Sequence, residues 1–213
     1  MSKPTRTINT LLFDWDGTLA DSAALGLVAY QRTFAELGVE FRQDVYEATY
    51  SPNWFVTYEA LGLPKEKWQL ADELWVRHYG EETAGLVEGG KETILDLCNK
   101  GYRLGVVSSG SESRVSREID SSGLDKVFQV VICNEHVSNK KPHPEGLEVA
   151  IGKLNCQGAE CCYVGDAPED IQMGKRAKVM TVGVRSAYPT SARLREAEPD
   201  LLLESLVELS NHF

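Results

Sequence analysis

The chain has 213 residues, 42% of them apolar and 25% charged, and carries a formal net charge of −10. Such a length and apolar share support one large domain, or a core domain with an insertion, and exclude a disordered tail, a collagen-like repeat and a disulfide-stapled miniprotein. The acidic balance argues against a nucleic-acid or anionic-membrane surface, yet a few placed cations or a bound metal can still receive a small phosphorylated ligand.

Lys3 and Arg6 near the start are followed by no apolar stretch. No apolar run approaches the roughly 20 residues that span a bilayer. The expected location is therefore cytoplasmic, with no membrane partner. Short apolar runs at 8–13, 102–107, 127–133, 160–164, 179–184 and 201–203 predict strands. Amphipathic stretches at 90–99, 111–122, 145–154 and 168–177 fall between them. Strands joined by helical crossovers make a parallel sheet covered on both faces, an α/β fold.

Residues 21–83 break that alternation. Helical spacing governs 24–37, then Trp54, Phe55, Tyr58 and Leu61, then Trp68, Ala71, Leu74, Trp75 and His78, with stops at Gly38, Gly62 and Pro64. The expected organisation is a core of residues 1–20 and 84–213 and an inserted helical domain of residues 21–83. Trp54, Trp68 and Trp75 lie in the insert, where the plain reading is that they form its core.

Four loops carry chemistry-bearing residues. Asp14-Trp15-Asp16-Gly17-Thr18-Leu19 follows the first strand, at the strand end where α/β folds place ligands. Two carboxylates beside a buried strand are costly unless paired or metal-bound, although Asp is common in ordinary turns. Tyr163-Val164-Gly165-Asp166-Ala167-Pro168-Glu169-Asp170 repeats the pattern, with Asp166 alternatively a helix cap. Two acidic strand ends on one sheet edge build a site for a hard divalent cation, most simply Mg²⁺. Val106-Val107-Ser108-Ser109-Gly110-Ser111 gathers hydroxyls and backbone N–H groups for an anion, although Ser109 and Glu112 also have capping-box spacing. Asn139-Lys140-Lys141-Pro142-His143-Pro144-Glu145 offers a lysine as phosphate clamp, or simply a solvated pair. The five cysteines form no C-x-x-C pair and read as reduced, small apolar residues; the four histidines have no metal-ligand spacing.

Taken in order, D-W-D-G-T-L, V-V-S-S-G, K-K-P-H-P-E and V-G-D-A-P-E-D resemble the motifs of the haloacid-dehalogenase-like (HAD) phosphohydrolases along the whole chain. The resemblance implies a Rossmann-like core with a type-1 helical cap, similar to phosphoglycolate phosphatases. It implies Asp14 as the nucleophile that forms an aspartyl-phosphate. Asp16 becomes general acid and then base, with its backbone carbonyl on the metal. Ser108, Ser109 and Lys141 hold the phosphoryl oxygens, the Lys-Pro pair selecting Lys141 over Lys140. Asp166 becomes the side-chain Mg²⁺ ligand beside Asp14, with Thr18 and Asp170 in support. Tyr50, Asn53 and Trp54 are candidate cap contacts to the leaving group, or else cap core and turn.

Asp16 separates the chain from relatives that cleave carbon–halogen or carbon–phosphorus bonds, which lack an acid at that place. The stretch 23–27 has no histidine of the kind that hexose-phosphate mutases offer. The expected activity is hydrolysis of a small phosphorylated metabolite, phosphoglycolate or a sugar phosphate in front, by a monomer or homodimer. A mutase, a non-catalytic phospho-ligand binder and a phosphoryl-storing receiver module remain as alternatives.

Overall fold

The computed structural model describes residues 8–80 and 82–213; the basic start at 1–7 and Glu81, inside the expected insert, lie outside the described residues. Six parallel strands form one sheet: β1 (Thr10–Phe13), β2 (Arg103–Val107), β3 (Val130–Ile132), β4 (Cys161–Gly165), β5 (Met180–Val184) and β6 (Leu201–Leu203), in the order β3-β2-β1-β4-β5-β6. Sequence order reverses between β1 and β4, so the crevice past their carboxyl ends is the topological switch point of the sheet.

Alternation along each buried strand splits the core in two. Leu11, Phe13, Cys162 and Val164 face one side with Ile94, Leu97, Val115 and Ile119. These last lie on α5 (Gly90–Asn99) and α6 (Glu112–Ser122). Leu12, Cys161 and Tyr163 face the other with Leu147, Ala150 and Met173, on α7 (Glu145–Leu154) and α8 (Pro168–Arg176). Buried on both faces, such strands read as continuous apolar runs, which is why the sequence marks them. The run at 127–133 overreaches: Val127 is spent in a turn that closes α6, its N–H donating to Leu124 O at 3.0 Å, and only Val130–Ile132 pairs with β2.

Among the described residues four α-helices lie between β1 and α5: α1 (Ala23–Glu36), α2 (Gln43–Thr49), α3 (Trp54–Ala60) and α4 (Trp68–Tyr79). Tyr30, Phe34, Tyr46, Tyr58 and Ala71 give them an apolar cluster of their own, with Trp54, Trp68 and Trp75 packed partly buried against it. Sequence spacing does not reveal α2, because Tyr46 is its one buried residue and no periodic stripe develops. Among the described residues no helix is long and apolar enough to cross a membrane.

Candidate active site

β1 delivers Asp14 to the switch point, where its N–H donates to Val164 O at 2.8 Å. β4 delivers Asp166 one residue past Gly165. Asp14, Asp166 and Asp170 bring carboxylate oxygens within 4.8 Å of one another, all three residues buried. Lys141 reaches into this cluster: its Nζ donates to Asp14 Oδ1 at 2.5 Å and to Asp170 Oδ1 at 2.8 Å. Asp14, Asp166, Lys141 and Asp170, the last on α8, are thus brought together.

The cluster holds more negative charge than Lys141 answers. Burial pushes the Asp14 carboxyl up to about 7, Asp170 and Asp16 adding to the effect and Lys141 opposing it. Burial, with the charges of Asp14 and Asp170, also holds Asp166 well above the carboxylate range. Burial opposes the Lys141 ammonium, but Asp14 and Asp170 outweigh it and keep the lysine firmly protonated. Three crowded carboxylates against one ammonium, offering hard oxygens only, fit a divalent cation such as Mg²⁺. Asp166 is held for such a task, since Oδ2 accepts from Ser186 Oγ at 2.6 Å. Gly17 makes room for it: a Cβ there would collide with Asp166 and Tyr188, and its φ of +81° also suits glycine.

Asp16 turns away from that cluster. Arg114 grips it with two bonds, Nη1 to Oδ1 at 2.9 Å and Nη2 to Oδ2 at 2.6 Å, and Ser22 Oγ donates to Oδ1 at 2.7 Å. Burial alone would raise the Asp16 carboxyl, but Arg114 and Ser22 outweigh it and hold it below its ordinary value. Arg114 is held in turn by Glu118, fully buried, which also accepts from Trp15 Nε1 at 2.6 Å and Tyr79 Oη at 2.9 Å.

Sequence reasoning misses Arg114, Glu118, Ser22, Tyr188 and Ser186. Arg114 and Glu118 look like an ordinary i,i+4 surface pair, and Tyr188 and Ser186 follow β5 in a loop with no motif. Two capping alternatives fail. Helix α6 begins after Ser111 with no side-chain cap, and Glu135 Oε2 takes the Glu112 N–H at 2.9 Å, so Ser109 is not its cap. In α8 the cap position is Ala167, whose N–H donates to Asp170 Oδ2 at 3.0 Å, so Asp166 is free of that role.

Above the cluster lies a cavity of about 220 Å³ between core and insert. Its floor includes Asp14, Asp16, Asp166 and Ser109; Tyr50 and Trp54 line it from the insert. Asn53 does not: it sits at the start of α3, its Oδ1 buried without a partner. Ser108 is buried beside a smaller pocket shared with Lys141, its Oγ accepting from Gly110 N at 2.9 Å. Thr18 is buried in the β1 loop, its Oγ1 without a partner. Lys140 diverges from its neighbour, with Nζ 3.6 Å from the centre of the Trp54 ring and donating to Asn134 Oδ1 at 2.6 Å.

A parallel sheet with carboxylates and a lysine converging at its switch point is the frame of a phosphoryl-transfer enzyme. The family model of haloacid dehalogenase-like hydrolases matches residues 11–184, and the chain belongs to that family. It is 36% identical over 214 residues to the pyrophosphatase PpaX of Listeria monocytogenes, covering 96% of each chain. A solved structure from Haemophilus somnus, described as a predicted phosphoglycolate phosphatase, superposes with a TM-score of 0.84 at 20% identity over 99% of each chain. CbbY from Rhodobacter sphaeroides, solved with phosphate, superposes at 0.77 with 23% identity, over 95% of this chain and 96% of that one. The chain is thus a phosphoric ester hydrolase with an α/β core and cap helices.

Proposed function

We propose that the protein is a Mg²⁺-dependent phosphatase that hydrolyses a small phosphate ester through a phosphorylated Asp14, with residues 21–83 acting as a cap over a core formed by 1–20 and 84–213. One observation carries the reading: Asp14 stands at the switch point with one oxygen on Lys141 and with Asp166 beside it. An Asp14 carboxylate oxygen attacks phosphorus and the bond to the leaving oxygen breaks; Asp16, once freed from the Arg114 pair that keeps it ionised and protonated from solvent, supplies the proton that oxygen takes up. Asp16 then takes a proton from the water that attacks the aspartyl-phosphate, releasing phosphate and freeing Asp14. Arg114 and Ser22 favour the ionised Asp16 that serves as base in the second transfer. Ser108, Ser109 and Lys141 hold phosphoryl oxygens, with Thr18 and Asp170 supporting the loop and the lysine. Asp14 and Asp166 would hold Mg²⁺, which supplies charge neutralisation between an anionic nucleophile and an anionic phosphate.

The relatives named pyrophosphatase favour pyrophosphate as a second reading. Phosphate release with Mg²⁺ is to be measured on phosphoglycolate, hexose and pentose phosphates and pyrophosphate. Release by wild type and none by Asp14→Asn is the expected result. Substantial turnover by Asp14→Asn, folded as judged by circular dichroism, removes Asp14 as nucleophile. A hexose phosphate isomerised without net release points to a mutase.

A further inference from the structure

Three buried polar atoms without a partner belong to residues that line the one cavity. They are Trp54 Nε1 on α3, Trp75 Nε1 on α4 and Thr190 Oγ1 in the 3-10 turn (Pro189–Ala197) after β5. Thr190 is fully buried. Folding takes these groups out of water and gives them nothing in return, a costly arrangement unless a ligand completes it. An indole N–H can only donate, so whatever answers the tryptophans bears acceptor atoms.

Room for such a ligand is kept open beside Asp16. Gly26 lines the cavity from α1, and a Cβ there would stand 3.3 Å from Tyr188 Oη and 3.9 Å from Trp75 Cζ2, on the Nε1 side of the indole. That tyrosine hydroxyl contacts Ser22, which bonds Asp16. Glycine inside a helix is less stable than alanine; here the missing methyl leaves space between the indole and the partners of Asp16.

Charge narrows the class of ligand. Among the described lining residues Arg114 is the single Lys or Arg, and its guanidinium is committed to Asp16 and Glu118. Lys140 spends its charge on the Trp54 ring, on Asn134 Oδ1 and on the Asp72 carboxylate. Asp72 lines the cavity too, its carboxyl raised by burial. A second phosphate or a carboxylate would be buried here beside Asp72 without a free cation. An ammonium would offer the indoles no acceptor. A hydroxyl accepts from an indole and donates to a carboxylate with the same oxygen.

Resting on the phosphatase reading, we propose that Trp54, Trp75 and Thr190 are specificity-determining residues for an uncharged, polyhydroxylated leaving group, so that the substrate is a sugar phosphate rather than a phosphate anhydride or the phosphate of a hydroxy acid. Water adds across the P–O bond, and the sugar leaves with its hydroxyl restored beside inorganic phosphate. Tyr50 and Tyr188, stacked at 5.0 Å, supply apolar surface for the carbon side of the sugar.

The test compares kcat/KM for ribose 5-phosphate, glucose 6-phosphate, tetrahydrofurfuryl phosphate (a furanose-like ring without hydroxyls), phosphoglycolate and pyrophosphate in wild type, Thr190→Val and Trp75→Phe. At least one sugar phosphate should exceed the hydroxyl-free ester on the order of 10-fold. Each variant should lower that sugar's kcat/KM roughly 2- to 10-fold, the loss of one neutral hydrogen bond, and hold the hydroxyl-free ester within about twofold. Thr190→Val keeps the shape and removes a hydroxyl that the free protein leaves unpaired, so its urea midpoint should not fall; a merely structural role requires that it does. Pyrophosphate or phosphoglycolate ahead of both sugars, a hydroxyl-free ester turned over as fast, or variants that slow every ester alike overturn the subsite while the phosphatase reading stands. No Asp14-dependent release from any compound overturns the phosphatase reading instead. Calorimetry of both sugar phosphates and the hydroxyl-free ester on folded Asp14→Asn then decides the subsite alone, tighter binding of a sugar supporting it and equal binding ending it.

Discussion

Arg114→Met should be the most damaging single change away from the reacting carboxylates. Glu118 is fully buried, and Arg114, its side chain 8% exposed, is its counter-charge at 3.0 Å. Methionine fills much of the same space, so the main loss is electrical rather than steric. The Glu118 carboxylate keeps two donors, Trp15 Nε1 at 2.6 Å and Tyr79 Oη at 2.9 Å, but no cation. Removing one partner of a buried pair costs about 3–5 kcal/mol, a large part of a total of roughly 5–15 kcal/mol. Urea unfolding followed by tryptophan fluorescence reads this as a fall in midpoint with an unchanged slope. The double variant Arg114→Met/Glu118→Gln is the sharper test. The amide still accepts from Trp15 but carries no charge, so the double should recover at least ~1 kcal/mol over the single. A single variant within ~1 kcal/mol of wild type, or a double that merely adds the two losses, refutes it.

Asp14→Asn should stabilise the metal-free protein while removing turnover. Because burial pushes the Asp14 carboxyl up to about 7, the folded chain holds a proton there that the unfolded chain sheds near pH 4. Wild-type stability from this group therefore falls as pH rises from about 4 to about 7 and is flat above. The variant's advantage in thermal unfolding should be present at pH 8 and vanish near pH 4; an equal advantage at both refutes the assignment. The adjacent lysines should separate cleanly. Lys141→Met leaves Asp14 and Asp170 without their shared cation and should abolish phosphate release, whereas Lys140→Met loses a ring contact with Trp54 and a bond to Asn134 and should lower kcat/KM less than tenfold. Equal losses in both would contradict this division.

How much of this is legible in the sequence follows from physical range. Strand ends that carry Asp14 and Asp166 are readable because a buried parallel strand is a continuous apolar run and its loop begins where the run stops. Helical spacing likewise marks α1, α3 and α4, each with a buried stripe against the aromatic cluster, but not α2, which buries one tyrosine. The cavity wall divides in the same way. Tyr50 and Trp54 stand out as aromatic residues near Ser51-Pro52, but Asn53 between them does not line the cavity, and its oxygen is buried without a partner. Arg114 lies 98 residues from Asp16, and Ser186 lies 20 residues from Asp166. Such pairings exist only once the sheet has assembled, and no local pattern encodes them. Glu118 looks like a solvent-facing partner of Arg114 until Trp15 and Tyr79 are packed over it.

The proton-transfer carboxylate and the leaving-group wall share side chains, and this makes a separable kinetic prediction. Ser22 Oγ donates to Asp16 Oδ1 at 2.7 Å, so the 3.0 Å contact between Ser22 and Tyr188 has the tyrosine O–H donating to Ser22. Donors in series polarise one another, and the outer hydroxyl strengthens the inner bond. The Tyr188 ring meanwhile stacks on Tyr50 with planes 17° apart. Tyr188→Phe removes the hydroxyl and keeps the stack. Losing one neutral hydrogen bond carries about 0.5–1.5 kcal/mol, or roughly 2- to 10-fold in rate. The reduction should fall on kcat, with KM held within about twofold. Tyr50→Leu removes the stack and keeps the relay, and should raise KM more than it lowers kcat. If Tyr188→Phe instead raises KM and spares kcat, the tyrosine hydroxyl serves the ligand directly and the relay to Asp16 is wrong.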